Sequence, residues 1–150
     1  MDLDDKTGAV NAFRALDVPV GFDATSFASL SPRLKQNLSY FGSDSRIQGS
    51  RASGTATPDS DLDIAIRVDE ARFNEILNDP NLCYYGKAKL NNSDQRGKET
   101  AIKNGIIFRG EIYQRPLGVQ LEQDLNIKPV QISVIRIGSS RDTGPWIPIE

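Results

Sequence analysis

The sequence contains no histidine and a single cysteine, Cys83. Without histidine there is no imidazole base, no His-metal site and no Ser-His-Asp arrangement. A lone cysteine cannot form an internal disulfide, which fits a reducing compartment, and with no histidine beside it Cys83 is not expected to be a catalytic thiol. Metal chemistry then has to use oxygen ligands, which favours Mg2+ or Mn2+ over zinc. No run approaches the roughly 18 apolar residues of a membrane helix. The acidic start, Met1-Asp2-Leu3-Asp4-Asp5, has no signal-peptide core. Neither sign of charge predominates: 18 basic residues against 20 acidic ones give a net charge of −2, which argues against wholesale binding of nucleic acid and leaves room only for a local basic patch.

What is present suits one compact domain. The 150 residues are 38% hydrophobic and 25% charged, as in an ordinary globular chain. Residues 9–16 are weakly helical. Ser31-Pro32 reads as an N-cap with proline at the first helical position, followed by Leu34, Leu38 and Phe41 at helical spacing up to Gly42. A strand is expected from Arg46 into Gly49. Residues 62–68 alternate and are rich in β-formers, so they form a second strand. Asp69 then caps a helix bearing Phe73, Ile76 and Leu77, ended by Pro80. Further on, residues 82–90 are expected to contain a strand, 93–104 a helix closed by Gly105, 106–113 a strand, and 130–137 a strand alternating Val130, Ile132 and Val134 with Gln131 and Ser133. The tail around Gly144-Pro145-Trp146 is expected to run extended and pack on the body. The fold class is α/β (α+β): a small mixed sheet with helices packed on it, in one domain over 1–150 with residues 1–30 as an N-terminal helical extension.

One segment carries chemistry: Gly49-Ser50-Arg51-Ala52-Ser53-Gly54-Thr55-Ala56-Thr57-Pro58-Asp59-Ser60-Asp61-Leu62-Asp63-Ile64. Glycine at the end of a strand lets a phosphate approach the backbone, and the amides there together with the Ser50 hydroxyl can donate to its oxygens. Arg51 either contacts a phosphate or is an exposed charge. Asp61 and Asp63 are two residues apart, so on a strand they share a face, about two rises of roughly 3.3 Å from each other. Such a pair can share one divalent cation or flank two of them about 3.5–4 Å apart. Leu62 and Ile64 point into the core. Lys87, Lys89, Arg96, Lys98 and Lys103 make the middle of the chain locally basic, either to guide RNA or a triphosphate or as a solvated face.

The order apolar strand, Gly-Ser, spacer, Asp-Leu-Asp-Ile resembles the polymerase-beta-type nucleotidyltransferase superfamily, and most closely its minimal members, which include antibiotic-modifying and tRNA-modifying enzymes. The resemblance is specific over residues 46–68 and topological over the rest. It implies a nucleotidyltransferase-like fold in which Gly49 and Ser50 bind a nucleoside triphosphate and Asp61 and Asp63 are catalytic and hold Mg2+ or Mn2+. It also implies a third carboxylate, on a later strand, that binds metal and deprotonates the acceptor hydroxyl. The matching strand offers Gln131, Ser133 and Arg136 but no acid. Glu111 or another acid takes the role, the base is dispensable, or the domain is a degenerate nucleotide binder.

The closing residues, 135–149, resemble the ends of toxin domains carried at the carboxyl terminus of large secreted bacterial proteins, the polymorphic toxins of contact-dependent growth inhibition. That resemblance implies delivery as the C-terminal part of a larger protein, action in the cytoplasm of a target cell, the 3′ end of tRNA as acceptor and a cognate immunity protein as partner. The other readings are transfer to an antibiotic or a protein hydroxyl, and nucleotide binding without turnover.

Overall fold

A computed structural model describes residues 15–150. The expected helix over 9–16 falls almost wholly outside the described residues; its last two positions, Ala15 and Leu16, are not helical. The described elements, in chain order, are α1 (Ala24–Leu38), β1 (Asp44–Gln48), α2 (Ser50–Ser53), β2 (Leu62–Val68), α3 (Glu70–Leu77), a 3-10 turn (Tyr84–Gly86), α4 (Asn92–Asn104), β3 (Ile106–Phe108), α5 (Arg115–Leu125), β4 (Val130–Arg136) and β5 (Ile147–Pro148). The five strands form one mixed sheet in the order β3-β4-β2-β1-β5. Its centre is the parallel pair β2 and β4, and the other three pairings are antiparallel.

Strand alternation gives the sheet two unlike faces. One face contributes Ile47, Leu62, Ile64, Ile66, Ile107, Val130, Ile132 and Val134 to the main core, where they meet Leu30, Leu34 and Leu38 of α1, Phe73, Ile76 and Leu77 of α3, and Leu121 of α5. The other face holds a small separate cluster, Ala65, Ile106 and Ile135. In register on that face stand Gln48, Asp63 and Gln131 in one row, and Arg46, Ala65, Ser133 and Phe108 in the next. The mixed sheet with helices on it is therefore as expected, and its second face is left for the polar groups.

Several elements differ from the expectation. α1 begins at Ala24, not beside Pro32, because Asp23 and Ser26 form a reciprocal capping box. Pro32 sits inside the helix; the carbonyl it leaves without a donor belongs to Ala28, which is exposed and can turn to water. A boundary at residue 30 would cut α1 through its buried face. Residues 82–90 form no strand: Gly86 lies so close to the Asp79–Pro80 backbone that a side chain there would collide with it, and the chain makes one 3-10 turn instead. β3 stops at Phe108, since the amides of Glu111 and Ile112 both turn back to the Phe108 carbonyl and Tyr113 adopts a left-handed backbone, φ 60°. The helix α5, with Pro116 in its first turn and Leu117, Leu121 and Leu125 one turn apart, was not expected. The tail packs as a fifth strand on the outer edge of β1. Trp146 serves there as a packing anchor, with the guanidinium groups of Arg46 and Arg67 stacked over its ring at 5.1 and 4.7 Å.

Candidate active site

Asp63 stands on β2 and Asp61 just before it, separated by the fully buried Leu62. Both open into a cleft of about 550 Å3 on the polar face of the sheet. The cleft is lined on the β1 side by Gln48 and on the β4 side by Gln131 and Ser133. Toward β3 it continues to Phe108, Arg109, Glu111 and Arg115, with Arg141 reaching in from the tail. The pair expected from the Asp-Leu-Asp spacing is therefore brought together on one face. All three candidates for a further site residue, Gln131, Ser133 and Glu111, line the same cleft. Gln131 is the direct neighbour of Asp63 across the parallel pair.

Glu111 does not lie on a strand, as the pattern of 106–113 suggested, but in the turn after β3. Among the described residues no third Asp, Glu or Cys stands near enough to Asp61 and Asp63 to complete a metal-binding trio. Cys83 takes no part: it is buried, and burial pushes its thiol up to about 11.

Asp63 is half-buried, and its carboxyl is pushed up to about 6, first by desolvation and then by the Asp61 charge. Among the described residues no hydrogen bond or cation offsets these two effects. An uncompensated carboxylate pair in a cleft is what a divalent cation fits, because the ion supplies the missing counter-charge through hard oxygen ligands. Neutral side-chain oxygens line the same cleft, from Gln48 and Gln131 on either side of Asp63 in its row and from Ser133 in the next.

Gly49 and Ser50 follow Gln48 at the β1 end of the cleft. Gly49 has φ 79° and ψ −159°, a region essentially reserved for glycine. A Cβ there would collide with Asp63 Oδ2, so the absence of a side chain is what admits the carboxylate. After it, α2 makes one turn: Ala52 and Ser53 donate to the Gly49 carbonyl, leaving the amides of Ser50 and Arg51 without a helical acceptor. Substituting Gly49→Ala is expected to destabilise the fold by about 1–3 kcal/mol through backbone strain. It should also displace Asp63, so that transfer is lost while circular dichroism remains native. Full activity in that variant would show that Asp63 needs no such cradle.

Arg51 goes elsewhere. It is 2% exposed, and its guanidinium donates to the carbonyls of Val20 (2.8 Å), Pro58 (3.1 Å) and Ser60 (2.8 and 3.1 Å). It ties the segment before α1 to the loop that delivers Asp61, and both alternatives weighed for it, a phosphate contact and an exposed charge, are replaced by this structural one. The lysines of the middle segment do not line the cleft either: Lys98 bonds Asn78 and Lys87 covers the Tyr84 ring. The basic groups that do line it, Arg109, Arg115 and Arg141, were not anticipated. Arg109 is engaged by Glu122 (3.0 Å) and the Val130 carbonyl (2.9 Å), which fixes α5 to the start of β4. The only hint of Arg115 in the sequence was Arg115-Pro116 as a helix start. Arg141 had none, because its place depends on Arg67 gripping Asp142 at 2.6 and 2.8 Å.

A same-side carboxylate pair, a glycine-serine turn at one end of the sheet face and arginines at the other are the groups that suit a phosphate ester. The match with known families is more specific. Residues 28–136 match the nucleotidyltransferase domain, and the chain belongs to that family. It is a transferase of nucleotidyl groups, in a family that generally works with divalent metals. No curated protein and no solved structure matches the chain. Among the described residues no helix is long and apolar enough to cross a membrane.

Proposed function

We propose that the domain transfers a nucleoside monophosphate from a nucleoside triphosphate, ATP among them, to an acceptor hydroxyl, with Mg2+ or Mn2+ held by Asp61 and Asp63. The observation that carries this reading is the uncompensated pair itself, half-buried in the cleft beside the Gly49-Ser50 turn. Bound there, the metal would neutralise phosphate oxygens. The Gly49-Ser50 turn receives the outer phosphates through its amides and the Ser50 hydroxyl. Among the described residues Glu111 is the one other carboxylate lining the cleft. Because it lies outside a common metal cluster with the aspartates, its part is that of a base, taking the proton of the acceptor hydroxyl. Substituting Glu111→Gln is expected to lower kcat about 10²- to 10⁴-fold with little change in the KM for triphosphate. An unchanged kcat would return Glu111 to the role of a turn residue.

The acceptor in this reading is the 3′ end of tRNA, and the domain is a toxin neutralised by a cognate immunity protein. Three things support it: an open cleft, arginines where a polyanion would enter, and the likeness of the tail to toxin modules. Incubation with each labelled nucleoside triphosphate, Mg2+ and total cell RNA should place label on RNA of tRNA size. Label on protein or on an added antibiotic would favour those acceptors instead. Production of the domain in bacterial cytosol should stop growth, and the Asp61→Asn, Asp63→Asn double variant should not. Arrest that persists in the double variant would have another cause than transfer.

A further inference from the structure

We propose that the cleft holds its acceptor as a single nucleic-acid strand, with the terminal base stacked on Phe108 and the adjoining phosphates held by Arg115 and Arg141. The inference rests on reading the cleft as the site of transfer, and it deepens that reading by assigning the acceptor side.

Direction comes from the chemistry of the step. As the acceptor oxygen forms its bond to the α-phosphorus, the bond from that phosphorus to the pyrophosphate oxygen breaks. The two oxygens lie roughly in line on opposite sides, the hydroxyl proton going to a carboxylate and the electron pair leaving with pyrophosphate. With the outer phosphates at the Gly49-Ser50 turn on the β1 side and the α-phosphorus by the aspartates on β2, the acceptor enters from the side of β4 and β3. There stand Glu111 and, at the end of the edge strand, Phe108.

Phe108 is a large aromatic side chain left 45% exposed at the mouth of a polar cleft. Every base has a π-face, so an exposed ring with cations beside it suits a strand end. Arg141 lies with its guanidinium 5.8 Å from the Phe108 ring centre, and Arg115 is exposed at the start of α5. Neither makes an ion pair with another described residue, unlike Arg109, whose charge is taken up by Glu122. Behind Phe108 an apolar recess of about 200 Å3, lined by Tyr85, Ala101 and Ile107, shares Phe108 and Glu111 with the cleft. That is smaller than the about 300 Å3 or more typical of sites for drug-sized molecules. The positive charge of Arg115 and Arg141, not paired with any described carboxylate, also disfavours a polycationic antibiotic as acceptor. Arg141 lies outside residues 28–136, which match the family, so this arm of the site is supplied by the tail.

The test uses the full chain and a fluorescein-labelled single-stranded RNA of about ten nucleotides, within the usual footprint of such sites. Binding is read by anisotropy without triphosphate, and the KM for triphosphate is measured separately. Phe108→Ala is expected to weaken RNA binding about 5- to 150-fold, and Phe108→Trp to restore it. Arg115→Ala and Arg141→Ala should each reduce the salt dependence of binding by about one ion. Ile102→Ala, equally exposed but away from the cleft, should bind RNA like the wild type. RNA binding unchanged in Phe108→Ala would overturn the proposal. So would a raised KM for triphosphate with RNA binding intact, which would place the donor base on Phe108. Wild-type protein that labels a protein or a small molecule and does not bind RNA would overturn it too, leaving the transferase reading in place. Phe108-dependent RNA binding in a protein that turns over no triphosphate would instead sink the transferase reading and leave the platform standing.

Discussion

Replacing Asp63 with Asn is expected to lower nucleotidyl transfer at least about a thousandfold, which at 1.36 kcal/mol per decade is about 4 kcal/mol of transition-state stabilisation. Asp61→Asn should do the same, and the double variant little more, if both carboxylates serve one cation as proposed. The same substitution should have the opposite effect on stability. Asp63 is pushed up to about 6 from an ordinary value of 3.8, so the folded protein holds its proton where the unfolded chain has released it. In the metal-free protein, stability is therefore expected to fall as pH rises from about 4 to about 6, and to stay low above that. Asn carries no charge to bury. Allowing for solvent screening of a partly exposed group, Asp63→Asn should gain about 1–2 kcal/mol at neutral pH, or about 3–6 °C in Tm. Adding Mg2+ should raise the Tm of the wild type and leave the double variant unmoved, since only a ligand that binds the folded state stabilises it. A variant that keeps its activity, or a wild type whose Tm ignores Mg2+ and Mn2+, would remove the aspartates from the metal-binding role.

That coupling explains why the centre of the site was legible in the sequence. A strand imposes a two-residue period, so Asp61-Leu62-Asp63-Ile64 states at once which side chains are buried and which share the cleft. Gly49 was legible as the glycine ending a strand, read as room for a phosphate; that its backbone lies in a region closed to other residues, against the Asp63 carboxylate, comes from the structure. The acceptor side was not. Glu111 was named as a candidate, though on a strand; it, Arg115 and Phe108 reach the cleft only because the chain turns sharply after Phe108, and that turn is made by backbone hydrogen bonds and a left-handed Tyr113 that no local pattern announces. Arg141 depends on an ion pair between residues 67 and 142, a long-range contact with no trace in spacing. The capping box at Asp23 and the leucine period of α5 were present as signals. They were overridden by Ser31-Pro32, which imitates a helix start, and by the polar composition around Arg115. Arg51 shows the reverse error: its neighbours suggested a phosphate ligand, while its partners are backbone carbonyls far apart in sequence.

Arg51 is also where the largest loss of stability is expected. Its guanidinium has its donors in a rigid fork, and here they serve three carbonyls from two segments. Arg51→Ala leaves the carbonyls of Val20, Pro58 and Ser60 without that partner and opens a cavity beside the fully buried Ala52. Each unsatisfied buried group costs about 1–3 kcal/mol, so a total of about 3–5 kcal/mol is expected, a large share of the stability of a domain this size. Arg51→Lys should recover little of it, since one ammonium on a flexible stem cannot reach acceptors in three directions. Thermal and urea midpoints measured by circular dichroism would show the loss. Transfer at a temperature where the variant is still folded would separate two causes of lost activity. If Arg51 acts by positioning, the loop from Thr55 to Ser60 should loosen, and kcat should fall because Asp61 is no longer held beside Asp63. The KM for triphosphate should change little. A variant with native midpoints and a strongly raised KM would instead mean that the guanidinium leaves its carbonyls to bind phosphate, and that the cleft rearranges when the nucleotide arrives.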